Sequence, residues 1–154
     1  MVSVGKRVEN FNLPATGDQN LSLSDFNGRN LIIYFYPKDN TPGCTREGQD
    51  FRDLYPQFTA AGADILGVSR DSVKTHGNFR SKHEFPFHLL SDGEEALCKQ
   101  FDVIHEKQLY GRKYMGIERS TFLIDAKGVL RQEWRKVRVP GHAEAVLEAL
   151  KALS

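Results

Sequence analysis

Leu31-Ile32-Ile33-Tyr34-Phe35-Tyr36 is apolar or aromatic at every position and is stopped by Pro37. A strand with one wet face alternates apolar and polar residues, whereas a run without alternation has to be covered on both sides. The rest of the chain must therefore supply layers above and below this strand, which commits it to an α/β arrangement. With 154 residues, 40% of them hydrophobic, a chain of this length buries roughly 70% of the surface its unfolded form exposes, without help from disulfides or a structural metal.

The remaining pattern agrees with that commitment. After a loop over residues 38–43, Phe51, Leu54, Tyr55 and Phe58 recur at i, i+3, i+4 and i+7, the stripe of a core-packed helix. Pro56 is expected to kink that helix or end it early. A second buried strand is expected over 64–69, a weaker helix over 73–83, a short strand over 86–90 and a short helix over 94–101. Residues 120–125 and 129–134 flank Ala126-Lys127-Gly128 and should form a hairpin. A helix from about Gly141 closes the chain. Strand, helix, strand, helix, then a hairpin and a last helix predict one domain over 1–154: a thioredoxin-like fold with a mixed central sheet flanked by helices on both faces. No repeat, low-complexity segment or linker divides it.

Lys+Arg 21 against Asp+Glu 20 leaves a formal charge of +1, so nucleic acid is not an expected partner. The longest apolar run is far short of the ~20 residues of a membrane helix. The first ten residues lack the pattern of a secretory signal, and a cytoplasmic location is expected. Neither HExxH nor a phosphate-binding glycine loop occurs, so neither metal nor cofactor is expected. His76, His83, His88, His105 and His142 are expected to be solvated or locally bonded. Trp134 is expected to pack on the sheet and residues 135–138 to form a solvated end.

The two cysteines, Cys44 and Cys98, form no CxxC pair, which argues against a zinc site or a disulfide framework. Thr41 has the character of an N-cap with Pro42 at the first helical position, which places Cys44 in the first turn. There the helix dipole and unpaired amide N–H groups favour thiolate over thiol. The same pattern also suits a small buried cysteine at an ordinary helix start. Cys98 shares a helical face with Leu97 and Phe101, and burial is the simpler reading of it.

Pro37-x-x-x-Thr41-x-x-Cys44 resembles the active-site signature of the peroxiredoxins. Residues 34–45, 66–71 and 116–125 together resemble their bacterioferritin comigratory protein (PrxQ) subfamily, over nearly the whole chain. The resemblance implies a thiol-dependent peroxidase for hydrogen peroxide and organic hydroperoxides. Cys44 would be the nucleophile that becomes a sulfenic acid. Thr41 would steer the peroxide while accepting a capping bond from the Cys44 amide. Pro37 belongs to the signature, and Pro42 would shield the thiolate. Gly43, with Thr41, Pro42, Cys44 and Arg119, would line the substrate site. Arg119 would stabilise the thiolate and the charge on the leaving oxygen, and Glu47 would orient Arg119. At the two usual resolving positions this chain has Gln49 and Arg80. It therefore resembles a one-cysteine member reduced by an external thiol such as thioredoxin, glutaredoxin or glutathione, as a monomer or weak dimer. Cys98 as a resolving cysteine, and a non-enzymatic redox sensor, are the alternatives.

Overall fold

The apolar run becomes the third strand of a seven-stranded sheet, and burial on both of its faces organises everything packed around it. The structure is a computed structural model and describes residues 1–153. In chain order the elements are β1 (Asn12–Ala15), β2 (Gln19–Ser22), a 3-10 turn (Leu23–Phe26), β3 (Asn30–Phe35), α1 (Pro42–Ala60), β4 (Ala63–Ser69), α2 (Val73–His83), β5 (His88–Ser91), α3 (Ala96–Gln100), β6 (Ile104–Leu109), β7 (Arg112–Ile117), β8 (Ser120–Ile124), β9 (Leu130–Trp134) and α4 (His142–Lys151).

The sheet order is β2-β1-β5-β4-β3-β8-β9, with β3, β4 and β5 parallel and the other pairings antiparallel. Alternate residues of β3 feed two cores. Ile32, Tyr34 and the following Tyr36 pack with Phe51 and Phe58 of α1, Phe79 of α2 and Val146, Leu147 and Leu150 of α4. Leu31, Ile33 and Phe35 pack on the opposite face with Leu97 and Cys98 of α3, and with Phe101 and Ile117. The mixed sheet with helices on both faces is as the sequence predicts, with the three longer helices all on one side. Among the described residues, no helix is long and apolar enough to cross a membrane.

Several expectations need correction. Helix α1 runs through Pro56 to Ala60 without stopping. Pro56 is exposed, on the outer side of the helix, while the fully buried Phe51 and Phe58 pin the helix on either side. Burial of two aromatic rings outweighs the roughly 3 kcal/mol that an internal proline costs. The β1–β2 pair was not expected, nor was the separate β6–β7 hairpin, whose outer residues are exposed and mix charged side chains with Leu109, Tyr110, Tyr114 and Met115. Arg135 is half-buried rather than fully solvated: it donates to the carbonyls of Phe101 and Asp102 and lies over the Phe122 ring.

Gly48 of α1 meets Phe85, in the connection between α2 and β5, and a Cβ at residue 48 would lie 2.4 Å from the ring. That ring cannot retreat, because Phe79, His83 and Phe87 surround it with centroids 5.1 to 5.7 Å away. Gly48→Ala should gain up to about 1 kcal/mol of helix propensity but lose about 1–3 kcal/mol to overpacking. A lower thermal midpoint is expected; an unchanged or raised one would contradict this packing.

Candidate active site

Pro37, half-buried, has no N–H to extend the ladder beyond Tyr36, whose amide donates to the Val68 carbonyl at 3.1 Å. The chain then crosses a tight loop into α1. Asn40 holds a left-handed φ of 64°, and the Asp39 amide donates to Asp71 Oδ2 at 2.9 Å. Thr41 has the extended backbone of an N-cap, and its carbonyl accepts from the Thr45 amide. Its side chain does not cap the helix, contrary to expectation: the hydroxyl turns back and donates to the Lys38 carbonyl at 2.9 Å. With Pro42 lacking an N–H, the first-turn amides of Gly43 and Cys44 have no intrahelical partner.

Cys44 is 2% exposed, beneath a rim on which Pro42 and Gly43 are exposed and Thr41 half-buried. Arg119 lies in the short connection between β7 and β8 and reaches two groups on α1. Its Nη2 donates to Cys44 Sγ at 3.3 Å and its Nη1 to Glu47 Oε1 at 2.6 Å. Residues 44 and 47, one helical turn apart, thus grip the two prongs of one guanidinium. Gly43 is part of this grip, since a Cβ there would sit 3.2 Å from Arg119 Nη2. Arg119, distant in sequence, is thus brought to Gly43, Cys44 and Glu47 at the start of α1.

Glu47 is 1% exposed and its Oε2 has no hydrogen-bond partner. Burial pushes its carboxyl up to about 7, against the opposing pull of Arg119. Burial opposes the charge on Arg119 as well, yet Glu47 and Cys44 together hold it above its ordinary value. Lys107 of β6 was not singled out from the sequence. It lies near enough to feel both Arg119 and Cys44, and burial followed by Arg119 lowers its affinity for a proton. No local pattern marked it, because the β6–β7 hairpin that carries it is largely exposed and shows no apolar alternation.

Cys98 is not near this cluster. It is fully buried in the core on the other face of the sheet, and its amide donates to Asp92 Oδ2 at 2.7 Å. Burial, reinforced by Asp92, raises its thiol far above the ordinary range. Both cysteines are free.

His76 of α2 was expected to be solvated or locally bonded and is fully buried against Asp39. Asp39, Asp71 and His76 offer ligand atoms within 4.8 Å of one another, but those atoms already hydrogen-bond to protein groups.

The buried carboxyl sets a pH test. Folded protein holds the Glu47 proton up to about pH 7, whereas the unfolded chain releases it near its ordinary value of 4.5. The stability this adds is full below 4.5 and is lost as pH rises through about 7, on the order of 3 kcal/mol in total. His142, which burial lowers to about 4, has the opposite slope but is common to wild type and variant. Glu47→Gln should therefore gain on wild type as pH rises from 5 to 8 in urea unfolding. A difference that does not change with pH would contradict it.

A family model described as the AhpC/TSA family matches residues 4–133. Peroxiredoxin Bcp of Xanthomonas campestris pv. campestris is 60% identical over 144 residues, covering 92% of this chain and 90% of that one. A cysteine-to-serine variant of Xylella fastidiosa PrxQ superposes with a TM-score of 0.94 at 49% identity, covering 99% and 97% of the two chains. A structure of Xanthomonas campestris bacterioferritin comigratory protein, described as giving insight into its alkyl peroxide reduction activity, has a TM-score of 0.88 at 58% identity, covering 92% and 90%. The thioredoxin-like sheet is thus that of the peroxiredoxins, and the chain belongs to the AhpC/TSA family as a peroxiredoxin of the Bcp/PrxQ kind, a thiol-dependent peroxidase.

Proposed function

We propose that Cys44 is the peroxidatic cysteine and that the cycle uses this one cysteine, with an external thiol as reductant. The carrying observation is the guanidinium of Arg119 held 3.3 Å from Sγ by a buried carboxylate. A permanent cation fixed there stabilises both the attacking thiolate and the charge that develops on the leaving oxygen. The Cys44 thiolate attacks one peroxide oxygen, the O–O bond breaks, and the departing oxygen takes a proton and leaves as water or alcohol. Thr41, Pro42, Gly43 and Arg119 line the approach, the Thr41 hydroxyl orients the peroxide, Glu47 orients Arg119, and Pro37 ends the strand where the loop must begin. One thiol then condenses with the sulfenic acid to a mixed disulfide and water, and a second thiol releases Cys44 and a disulfide product.

The sheet between the two cysteines supports the one-cysteine cycle. Cys44 packs in the core on the α1 side and Cys98 in the core on the α3 side. A disulfide needs Cα atoms within about 7 Å, so one of the two would have to leave its layer. Hydrogen peroxide and small organic hydroperoxides suit a cysteine only 2% exposed, and a relative's alkyl peroxide activity supports the organic class. The family resemblance favours a monomer or weak dimer. Free thiols agree with a cytoplasmic setting in which thioredoxin, glutaredoxin or glutathione is the reductant.

Intact mass after one equivalent of hydrogen peroxide tests this. Wild type and Cys98→Ser should each gain about 16 Da, reversed by dithiothreitol, and Cys44→Ser should gain nothing reversible. A loss of about 2 Da, abolished by Cys98→Ser, would establish the two-cysteine cycle instead. Oxidation without turnover in excess dithiol would make the protein a sensor.

A further inference from the structure

The loop that leads through Thr41 to Cys44 in the first turn of α1 is tied to the protein interior at Asp39. Asp39 and His76 both have zero side-chain exposure, and His76 Nδ1 lies 2.6 Å from Asp39 Oδ2. His76 Nε2 lies 2.8 Å from the Leu90 carbonyl, which can only accept, so Nε2 carries a proton. Nδ1 then faces a carboxyl at hydrogen-bond distance, and that contact requires a second proton between ring and carboxyl. The Tyr36 hydroxyl donates to the other carboxyl oxygen, Oδ1, at 2.6 Å. The Asp39 backbone is tied down separately through Asp71, whose Oδ2 also accepts from Ser69. Asp39 is thereby fixed to β3, to the end of β4 and, through His76, to α2 and the backbone of β5.

We infer that the proton-bridged Asp39–His76 pair is a positioning device for the peroxidatic loop. This rests on the role proposed above for Cys44. Asp39 touches neither sulfur nor peroxide; it acts through two residues of backbone. Asn40 holds a φ of 64°, a conformation that non-glycine residues rarely adopt unless the chain is fixed on both sides. On one side is the start of α1 and on the other is Asp39. Release of the Asp39 carboxyl frees Asn40 to relax, and Thr41, the next residue, moves with it. Sub-ångström alignment of peroxide and sulfur is then lost, while the thiol itself remains. Buried unpaired polar groups are costly, so the pair also makes the aligned loop the conformation with fewest orphaned atoms.

Three substitutions separate positioning from packing. Asparagine places a donor where Nδ1 stands and drops the Leu90 bond; glutamine reaches toward the Nε2 position and drops Asp39; phenylalanine drops both. The readouts are the second-order rate of Cys44 oxidation by hydrogen peroxide, the rate of Cys44 alkylation by iodoacetamide, and the thermal midpoint. His76→Asn should keep the peroxide rate within about threefold of wild type, while His76→Gln and His76→Phe should lose about tenfold or more. Alkylation, which needs no peroxide alignment, should change far less in all three. Wild-type peroxide rates in His76→Gln, or an equal fall in His76→Asn and His76→Gln, would overturn the inference. Should His76→Phe fail to fold, Tyr36→Phe removes only the hydroxyl donated to Asp39 and should still lower the peroxide rate severalfold; a wild-type rate there would also overturn it. Wild-type Cys44 reacting no faster than a free thiol would instead remove the reading on which the inference rests.

Discussion

Glu47 is 1% exposed and one of its oxygens has no partner, so its charge is tolerable in the core only because Arg119 reaches it at 2.6 Å. The same contact pins the arginine. A guanidinium on a flexible side chain would ordinarily wander among rotamers and stay hydrated; held by a buried carboxylate on one nitrogen, it offers the other to sulfur in a single geometry. Glu47 and Cys44 lie one turn apart on α1, and the fork of the arginine spans that turn. The unfavourable burial of an acid and the placement of a cation at the thiol are one interaction seen from its two ends.

The fold delivers the partners of that interaction through β3. Because the strand is buried on both faces, it holds two cores apart, and its end at Phe35 points the chain into the loop that begins α1. Antiparallel β8 runs beside β3 with Ser120 opposite Phe35, so the residue just before β8, Arg119, arrives at the same end of the sheet. The sheet that brings Arg119 to Cys44 also keeps Cys98 away, since α3 covers the other face. One architectural fact thus favours reaction at Cys44 and separates it from the second thiol.

Much of this was legible in the residues, for identifiable physical reasons. β3, α1 and the β8–β9 hairpin have strong apolar patterns or a marked turn, and burial enforces such patterns. β6 and β7 are largely exposed and pair only with each other around Tyr110-Gly111, so no apolar alternation betrays them, and Lys107 was hidden with them. Pro56 misled because a local rule about helix breaking was outweighed by Phe51 and Phe58. Thr41 and Cys44 stood out as a helix start and were given their roles by resemblance, whereas Arg119 and Glu47 were found through resemblance alone, since no local spacing links residue 119 to residue 44. Asp39 and His76 escaped for the same reason: His76 was expected to be solvated or locally bonded, because no local spacing links it to its carboxylate partner 37 positions away.

The measurement that bears most directly on the central claim is the rate at which Arg119→Lys reacts with hydrogen peroxide, compared with its rate toward iodoacetamide. Lysine keeps the positive charge but has no fork with which to hold Glu47 and Cys44 together. A fall of about a hundredfold toward peroxide, with a much smaller fall toward iodoacetamide, is expected if the fixed guanidinium stabilises the transition state. A peroxide rate within about threefold of wild type would contradict it, because charge alone, without the two-pronged geometry, would then suffice.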